Sequence, residues 1–250
     1  MGDHKDGNDP KKMPQATAQE WGLVLAKSLA SLIPFAGGPA AEVLGAIITP
    51  QIEKSKTEWL ENIRRDLYEL SKWKTEVTPE RLSQDPAFTT AFLHASQIAL
   101  RTHQREKLRA LRNAVLNVAA GTAPDENLQL VFLHYLDMLT PLHLTLLDCV
   151  ADPREWSARR NYPLAQGWNP DAGIIFEAVY RGQLPAENFH VQLLQDLYTR
   201  GLVGNDANPN AFLSPPAEAL IPRITDLGKR FLAFITSPIP ELDNPDQATV

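Results

Sequence analysis

At 250 residues, with 44% hydrophobic and 22% charged residues, the chain has the composition of an ordinary globular protein and ample length for a core. Its single cysteine, Cys149, excludes an intrachain disulfide framework and fits a reducing compartment, with the thiol read as a buried hydrophobe inside LTLLDCVA. The net charge of −6 is uneven: residues 1–124 hold 16 Lys and Arg against 14 Asp and Glu (+2), and residues 125–250 hold 8 against 16 (−8), which sets the C-terminal half against polyanions.

Residues 1–18 are polar, lack periodicity, and are expected to form a disordered tail. Their mixture of acids and bases does not have the form of a secretory signal. Residues 21–51 then carry only two charges, Lys27 and Glu42. Trp21, Leu25, Leu29 and Leu32 keep helical spacing, Pro34 to Pro39 break the helix, and Val43, Leu44, Ile47 and Ile48 form the apolar side of a second leg. Gly37, Ala41 and Gly45 fall four apart, a small-residue stripe that would let another helix approach closely. Each leg is shorter than the roughly 20 apolar residues of a membrane span, so an apolar helical hairpin is expected. It is a core element, or a membrane or self-association element using Gly37, Ala41, Gly45, Leu29, Leu32 and Ile47.

Pro50 is expected to kink or restart the helix. Beyond it Ile52, Trp59, Ile63, Leu67 and Leu70 make one apolar stripe opposite a charged face that includes Glu58, Glu61, Arg64, Arg65 and Asp66. Thr78-Pro79 and Asp85-Pro86 place a capping oxygen before a proline, a helix-start device. Residues 86–120 contain no glycine and no further proline and read as one long helix, or two in line, ended by Gly121. Along it Arg101, Arg105, Arg109 and Arg112 step four, four and three, a basic face about 16 Å long at 1.5 Å per residue. It is either a solvated helix side or a contact for an anionic surface.

Asp125 should cap the next helix, and Thr140-Pro141 should open PLHLTLLDCVA, which Asp152-Pro153 should stop. Helices are expected over 172–180 and 185–200, followed by an extended piece at 201–203, a polar loop, a returning strand near 220–224, and a last helix capped by Thr225. This order resembles winged-helix domains, and the resemblance implies a DNA reader or a protein-docking module. The candidate recognition helix shows Glu187, Asn188, His190, Gln192, Gln195, Asp196, Tyr198, Thr199 and Arg200, and the wing loop has Asp206 and no base. Phosphate contacts need Lys and Arg, so nucleic acid is disfavoured as a partner.

No catalytic motif is legible. His4, His94, His103, His134, His143 and His190 include no pair at i, i+3 or i+4, and CxxC, HExxH, GxSxG, GxxxxGK[ST] and GxGxxG are all missing. No catalytic, cofactor or metal site is therefore expected.

FTTAFLHASQIALRTHQREKLRALRNAVLNVA followed by LQLVFLHYLDMLTPLHLTLLDCVADP resembles the Abi-alpha family of bacterial proteins associated with abortive infection, over residues 86–152 and through Leu139-Thr140-Pro141 before an apolar helix. The small-residue hairpin before a long amphipathic helix is similar in pattern to the N-terminal bundles of HeLo-type membrane-disrupting proteins. Together these readings give a mainly α protein. Residues 19–124 are expected to form a helical bundle with the apolar hairpin at 21–51, residues 125–238 a winged-helix-like domain with a small β-wing, and residues 239–250 a second disordered tail. The expected function is non-enzymatic: a bacterial defence or stress protein, cytoplasmic or peripheral at the inner face of the membrane. It would self-associate, or engage a protein or an anionic membrane, through the hairpin. The alternatives are a winged-helix transcriptional regulator and a cytosolic protein–protein scaffold.

Overall fold

The computed structural model describes residues 20, 25, 39–165, 171–204 and 223–239, with 39–49 described in backbone only. The fold is mainly α. Helices α1 (Pro39–Trp73) and α2 (Pro79–Ser83) precede α3 (Pro86–Ala99), α4 (Arg105–Ala119), α5 (Glu126–Met138), α6 (Pro141–Ala151), α7 (Pro153–Arg159), α8 (Ala172–Val179), α9 (Phe189–Thr199) and α10 (Asp226–Ile235). Among the described residues the extended structure is one antiparallel bridge, Val203 with Ile224. The chain divides into two compact units, 1–86 and 87–250. The boundary expected at 124 falls between α4 and α5, which pack on each other within the second unit.

In the first unit the second leg of the expected hairpin is not a separate helix. The helix runs through Pro50 without a break, so residues 40–49 continue into the amphipathic segment. At 1.5 Å per residue α1 is about 50 Å long. Its stripe is buried as its spacing requires: Trp59, Ile63, Leu67 and Leu70 are all less than 5% exposed. Asp66, read as part of the charged face, is fully buried on that stripe, three residues after Ile63 and four before Leu70, with Arg65 Nε 3.3 Å from its carboxylate. Six other charges of the helix pair along it, Lys54 with Glu58, Arg64 with Glu61 and Lys72 with Glu69. Leu29, Leu32 and Gly37 lie outside the described residues. Ala41, Gly45 and Ile47 lie on the backbone of α1.

In the second unit α6 is the hub, packing against α7, α8, α9 and α10. Its sequence explains why. Leu144, Leu146, Leu147, Cys149 and Val150 are all buried, so this helix is apolar on several sides and needs neighbours on each. The cap signals work as read. Asp125 Oδ1 accepts from Leu128 N–H at 3.2 Å, and Thr225 Oγ1 accepts from Gly228 N–H at 3.0 Å. Asp152-Pro153 ends α6 and at once starts α7, with Asp152 Oδ1 accepting from Glu155 N–H at 2.9 Å. The segment read as a loop therefore begins with a short helix. Helix α9 begins at Phe189, after a turn that brings Asn188 to φ 58°, rather than at Pro185.

The long segment 86–120 is two helices, broken at residues 100–104 where neither glycine nor proline gives a signal. Thr102 Oγ1 accepts from Gln104 N–H at 3.2 Å, a local side-chain bond that competes with the helical ladder. Arg101 leaves the helix line at this break and grips Asp137 of α5 with two hydrogen bonds, at 3.0 and 3.1 Å. Ile239, the first residue of the expected second tail, is buried and its N–H bonds Ser237 Oγ at 3.1 Å, while residues 240–250 lie outside the described residues.

Two buried asparagines on α4 hold the end of α10. Asn113 Nδ2 donates to Ile235 O at 2.8 Å. Asn117 Nδ2 lies 2.8 Å from Thr236 O, 3.0 Å from Phe234 O and 3.3 Å from Ala233 O, while its Oδ1 accepts from Thr122 Oγ1 at 2.8 Å. The last carbonyls of a helix have no partner within it, and here another helix supplies the donors. Next to this clamp Phe132 of α5 packs on Phe231 and Phe234 of α10, with ring centroids 5.2 and 5.7 Å apart.

Candidate functional site

The basic face proposed from sequence is only partly assembled. Arg105, Arg109 and Arg112 lie on α4, Arg105 exposed and Arg109 and Arg112 half-buried, while Arg101 sits in the break and is engaged by Asp137. Lys107, near them in sequence, is buried and donates to Asp137 O at 2.7 Å, and burial lowers its pKa from the ordinary lysine value. Asp137 thus neutralises one end of the basic run. Of the four arginines on which that face was expected, only Arg101 and Arg105 are exposed, and Arg101 is paired.

Helix α9 occupies the position of the candidate recognition helix. It buries His190, Leu193 and Leu197 and turns Val191, Gln192, Gln195 and Thr199 to solvent. Its nearest cation, Arg200, folds back: Nη1 donates to Asp196 O at 2.8 Å and lies 3.8 Å from the Asp196 carboxylate. The helix therefore presents amides, a hydroxyl and a valine, with no outward positive charge. The wing loop expected between Val203 and Ile224 lies outside the described residues for 205–222.

Two histidine–carboxylate pairs lie between α9 and its neighbours, and one of them is hydrogen-bonded. His143 of α6 lies with Nε2 3.2 Å from Asp196 Oδ2, while its Nδ1 accepts from Thr140 N–H at 3.2 Å and lies 2.8 Å from Thr140 Oγ1. An acceptor at Nδ1 places the proton of the neutral ring on Nε2, where it points at Asp196. Burial lowers the His143 pKa, opposed by the hydrogen bond to Asp196. His190, at the start of α9, lies with Nδ1 3.1 Å from Glu177 Oε2 of α8. Neither pair was legible from sequence, because His143 and Asp196 are far apart in the chain, as are Glu177 and His190 on different helices.

Beside the second pair lies a cleft of about 430 Å³, formed by α8 and the turn that leads to α9. Ile174, Ala178, Tyr180, Leu184 and Ala186 supply its apolar walls, and Glu177, Arg181 and Glu187 its charges. Tyr180 is held by Phe176 at 4.8 Å and Trp156 at 6.4 Å between ring centroids. Glu177 Oε1 accepts from Asn188 N–H at 3.4 Å, so the turn orients that carboxylate. Positive φ at Gly182 (75°) and Asn188 (58°) lets the chain reverse tightly enough to close the cleft.

Among the described residues no group of three or more His, Cys, Asp or Glu is placed to hold a metal ion. Cys149 is buried, with Sγ 3.5 Å from Ala172 O, and burial pushes its pKa far above that of a reactive thiol. Among the described residues no single helix is long and apolar enough to cross a membrane. No family model, no curated protein and no solved structure matches the chain.

Proposed function

We propose that this protein is a non-enzymatic binding protein of the bacterial defence or stress type. On this reading the apolar region 21–51 self-associates or engages an anionic membrane from the cytoplasmic side, and the C-terminal part is a winged-helix-like module that docks protein. The observation that carries the docking half is the outward face of α9, which has no free cation where a DNA reader needs several. The winged-helix reading draws support from the order α6, α8, α9, the Val203–Ile224 bridge and α10. The N-terminal half of the proposal draws on the charge-poor pattern of 21–51 and on the unbroken passage of α1 through Pro50, which would make the apolar leg the end of a stiff helix. The resemblance of 86–152 to Abi-alpha proteins supports the defence context. A winged-helix DNA-binding regulator is the alternative, favoured by helix order and opposed by charge.

Co-sedimentation with vesicles of anionic phospholipid, run beside retention on duplex DNA, tests the proposal. The full chain should pellet with vesicles, or elute as an oligomer in size-exclusion chromatography with light scattering. Leu29→Gln, Leu32→Gln and Ile47→Gln together should abolish that behaviour. Arg105→Gln with Arg109→Gln should weaken vesicle binding only at low salt. A monomer that ignores vesicles and binds duplex DNA with a steep salt dependence would replace this reading with the regulator. A monomer that binds neither would leave a scaffold.

A further inference from the structure

Resting on the reading of the C-terminal part as a protein-docking module, we infer that the α8–α9 cleft is the docking point. Its occupant would be a peptide segment of a partner that carries a lysine or arginine beside apolar residues. Three observations lead there. The cleft is about 430 Å³, within the range of sites that hold side chains or small ligands, and most of its lining is apolar. One wall is the Tyr180 ring, and aromatic faces attract cations as well as apolar stems. Two carboxylates, Glu177 and Glu187, stand against one guanidinium, Arg181, so the cleft is net negative within a chain half that is itself at −8.

The carboxylates have different roles. Glu177 accepts from the Asn188 N–H at 3.4 Å and lies 3.1 Å from His190 Nδ1, and its side chain is 35% exposed, so it is a carboxylate held at the wall. Glu187 is exposed and makes no hydrogen bond or ion pair among the described residues, so it is available to a partner cation. Ile174, 53% exposed at the cleft, offers the apolar contact. An extended segment that alternates apolar and basic side chains would place its base at the carboxylates and its neighbour on Ile174. The two carboxylates, in a chain half of net negative charge, would favour such a segment over an acidic one. An acidic or uncharged partner has no matching group here except Arg181, which opposes the proposed cation.

That opposition gives the test its sign. The full chain is titrated against a fluorescein-labelled ten-residue peptide of alternating leucine and lysine, with fluorescence anisotropy as the readout. Two control peptides replace lysine by glutamate or leucine by serine, and duplex DNA is titrated in parallel. Glu187→Gln should weaken the leucine–lysine peptide about threefold to fivefold, the effect of one exposed ion pair, and Arg181→Gln should tighten it by a similar factor. Glu155→Gln, the loss of an exposed acid on α7 that faces Arg159 rather than the cleft, should leave affinity unchanged. Binding lost with either control peptide and shifted in opposite directions by the two cleft variants establishes the site. The inference is overturned if the glutamate or the serine peptide binds as well, if the peptide does not bind, or if Glu155→Gln acts like Glu187→Gln. DNA retention in the parallel titration would instead sink the docking reading itself, whatever the peptides do.

Discussion

Helix α1 and helix α9 handle their polar side chains in opposite ways. On the described part of α1 the surface charges pair with residues three or four positions along the same helix, as in Glu61 with Arg64, Glu69 with Lys72 and Lys54 with Glu58. On α9 there is one such local pair, Arg200 with Asp196, and the other partners come from elsewhere: Asp196 meets His143 of α6, and His190 lies beside Glu177 of α8. The first kind of pair holds a helix as a helix and is worth little to the fold. The second kind fixes where a helix sits, and removing one partner strands a buried group. Asn117 on α4 is the extreme of the second kind, because one amide nitrogen serves the carbonyl end of a helix more than a hundred residues away.

Substitutions should separate the two regimes. The largest loss is expected at Gly228, in the first turn of α10. A Cβ there would fall inside van der Waals contact of the Leu202 carbonyl oxygen and 2.6 Å from Ile224 Cγ1. Backbone cannot yield as a flexible side chain can, so Gly228→Ala should cost about 3 kcal/mol or more in urea unfolding. Gly121→Ala is the control: φ is 67° but nothing lies within 4 Å, so the cost should be only about 1 kcal/mol. An equal cost at both positions would mean that the α10 contact is slack.

Next comes Asn117→Ala, which removes the side-chain donor to the α10 carbonyls and the side-chain acceptor of Thr122. A loss of about 2 to 3 kcal/mol is expected, with Asn117→Asp no better because a carboxylate cannot donate. Recovery of stability by Asp would refute the clamp.

His143 should give a smaller effect with a pH signature. Its pKa is lowered in the folded chain, so between that value and the ordinary histidine value of about 6.5 the unfolded chain binds the extra proton. Stability should therefore fall as pH drops below about 6.5 and level off once the folded pKa is passed. Protonation of Nδ1 would also set a donor against the Thr140 N–H, and Lys107 and Arg200 oppose the new charge while Asp196 favours it. Unfolding curves at several pH values should show a shallower acid slope for His143→Gln than for the parent chain. The smallest effect belongs to α1: Glu61→Gln should cost about 0.3 kcal/mol and should fade in high salt. A loss comparable to that at Asn117 would erase the distinction between local and tertiary pairs.

What could be read in advance follows the same division. The caps at Asp125 and Thr225, and the starts at Pro79, Pro86 and Pro141, depend on residues within three or four positions, and sequence placed them. The stripe Trp59, Ile63, Leu67 and Leu70 was equally plain because a helix repeats every 3.6 residues. Arg101 was misplaced for a different reason. Its spacing matches Arg105 and Arg109, but a Thr102 side-chain bond and the pull of Asp137 break the helix between them. Asp66 looked like surface because it is charged, although its position on the helix puts it on the buried stripe. The cleft was not legible at all, since it is made by α8 and the turn that leads from it to α9, and a turn's course is set by the packing of the helices it joins.

By itself, then, the amino-acid order determined a mainly α chain, the termini of most of its helices, the apolar stripe of α1 and the acidic balance of the C-terminal half. Each of these is set by neighbours in sequence or by simple counting. The tertiary structure alone decided the hub role of α6, the division at residue 86, the asparagine clamp on α10, the two histidine–carboxylate pairs and the cleft beside Glu177. These depend on which helix faces which, and that is chosen by the packing of whole apolar surfaces rather than by any short run of residues.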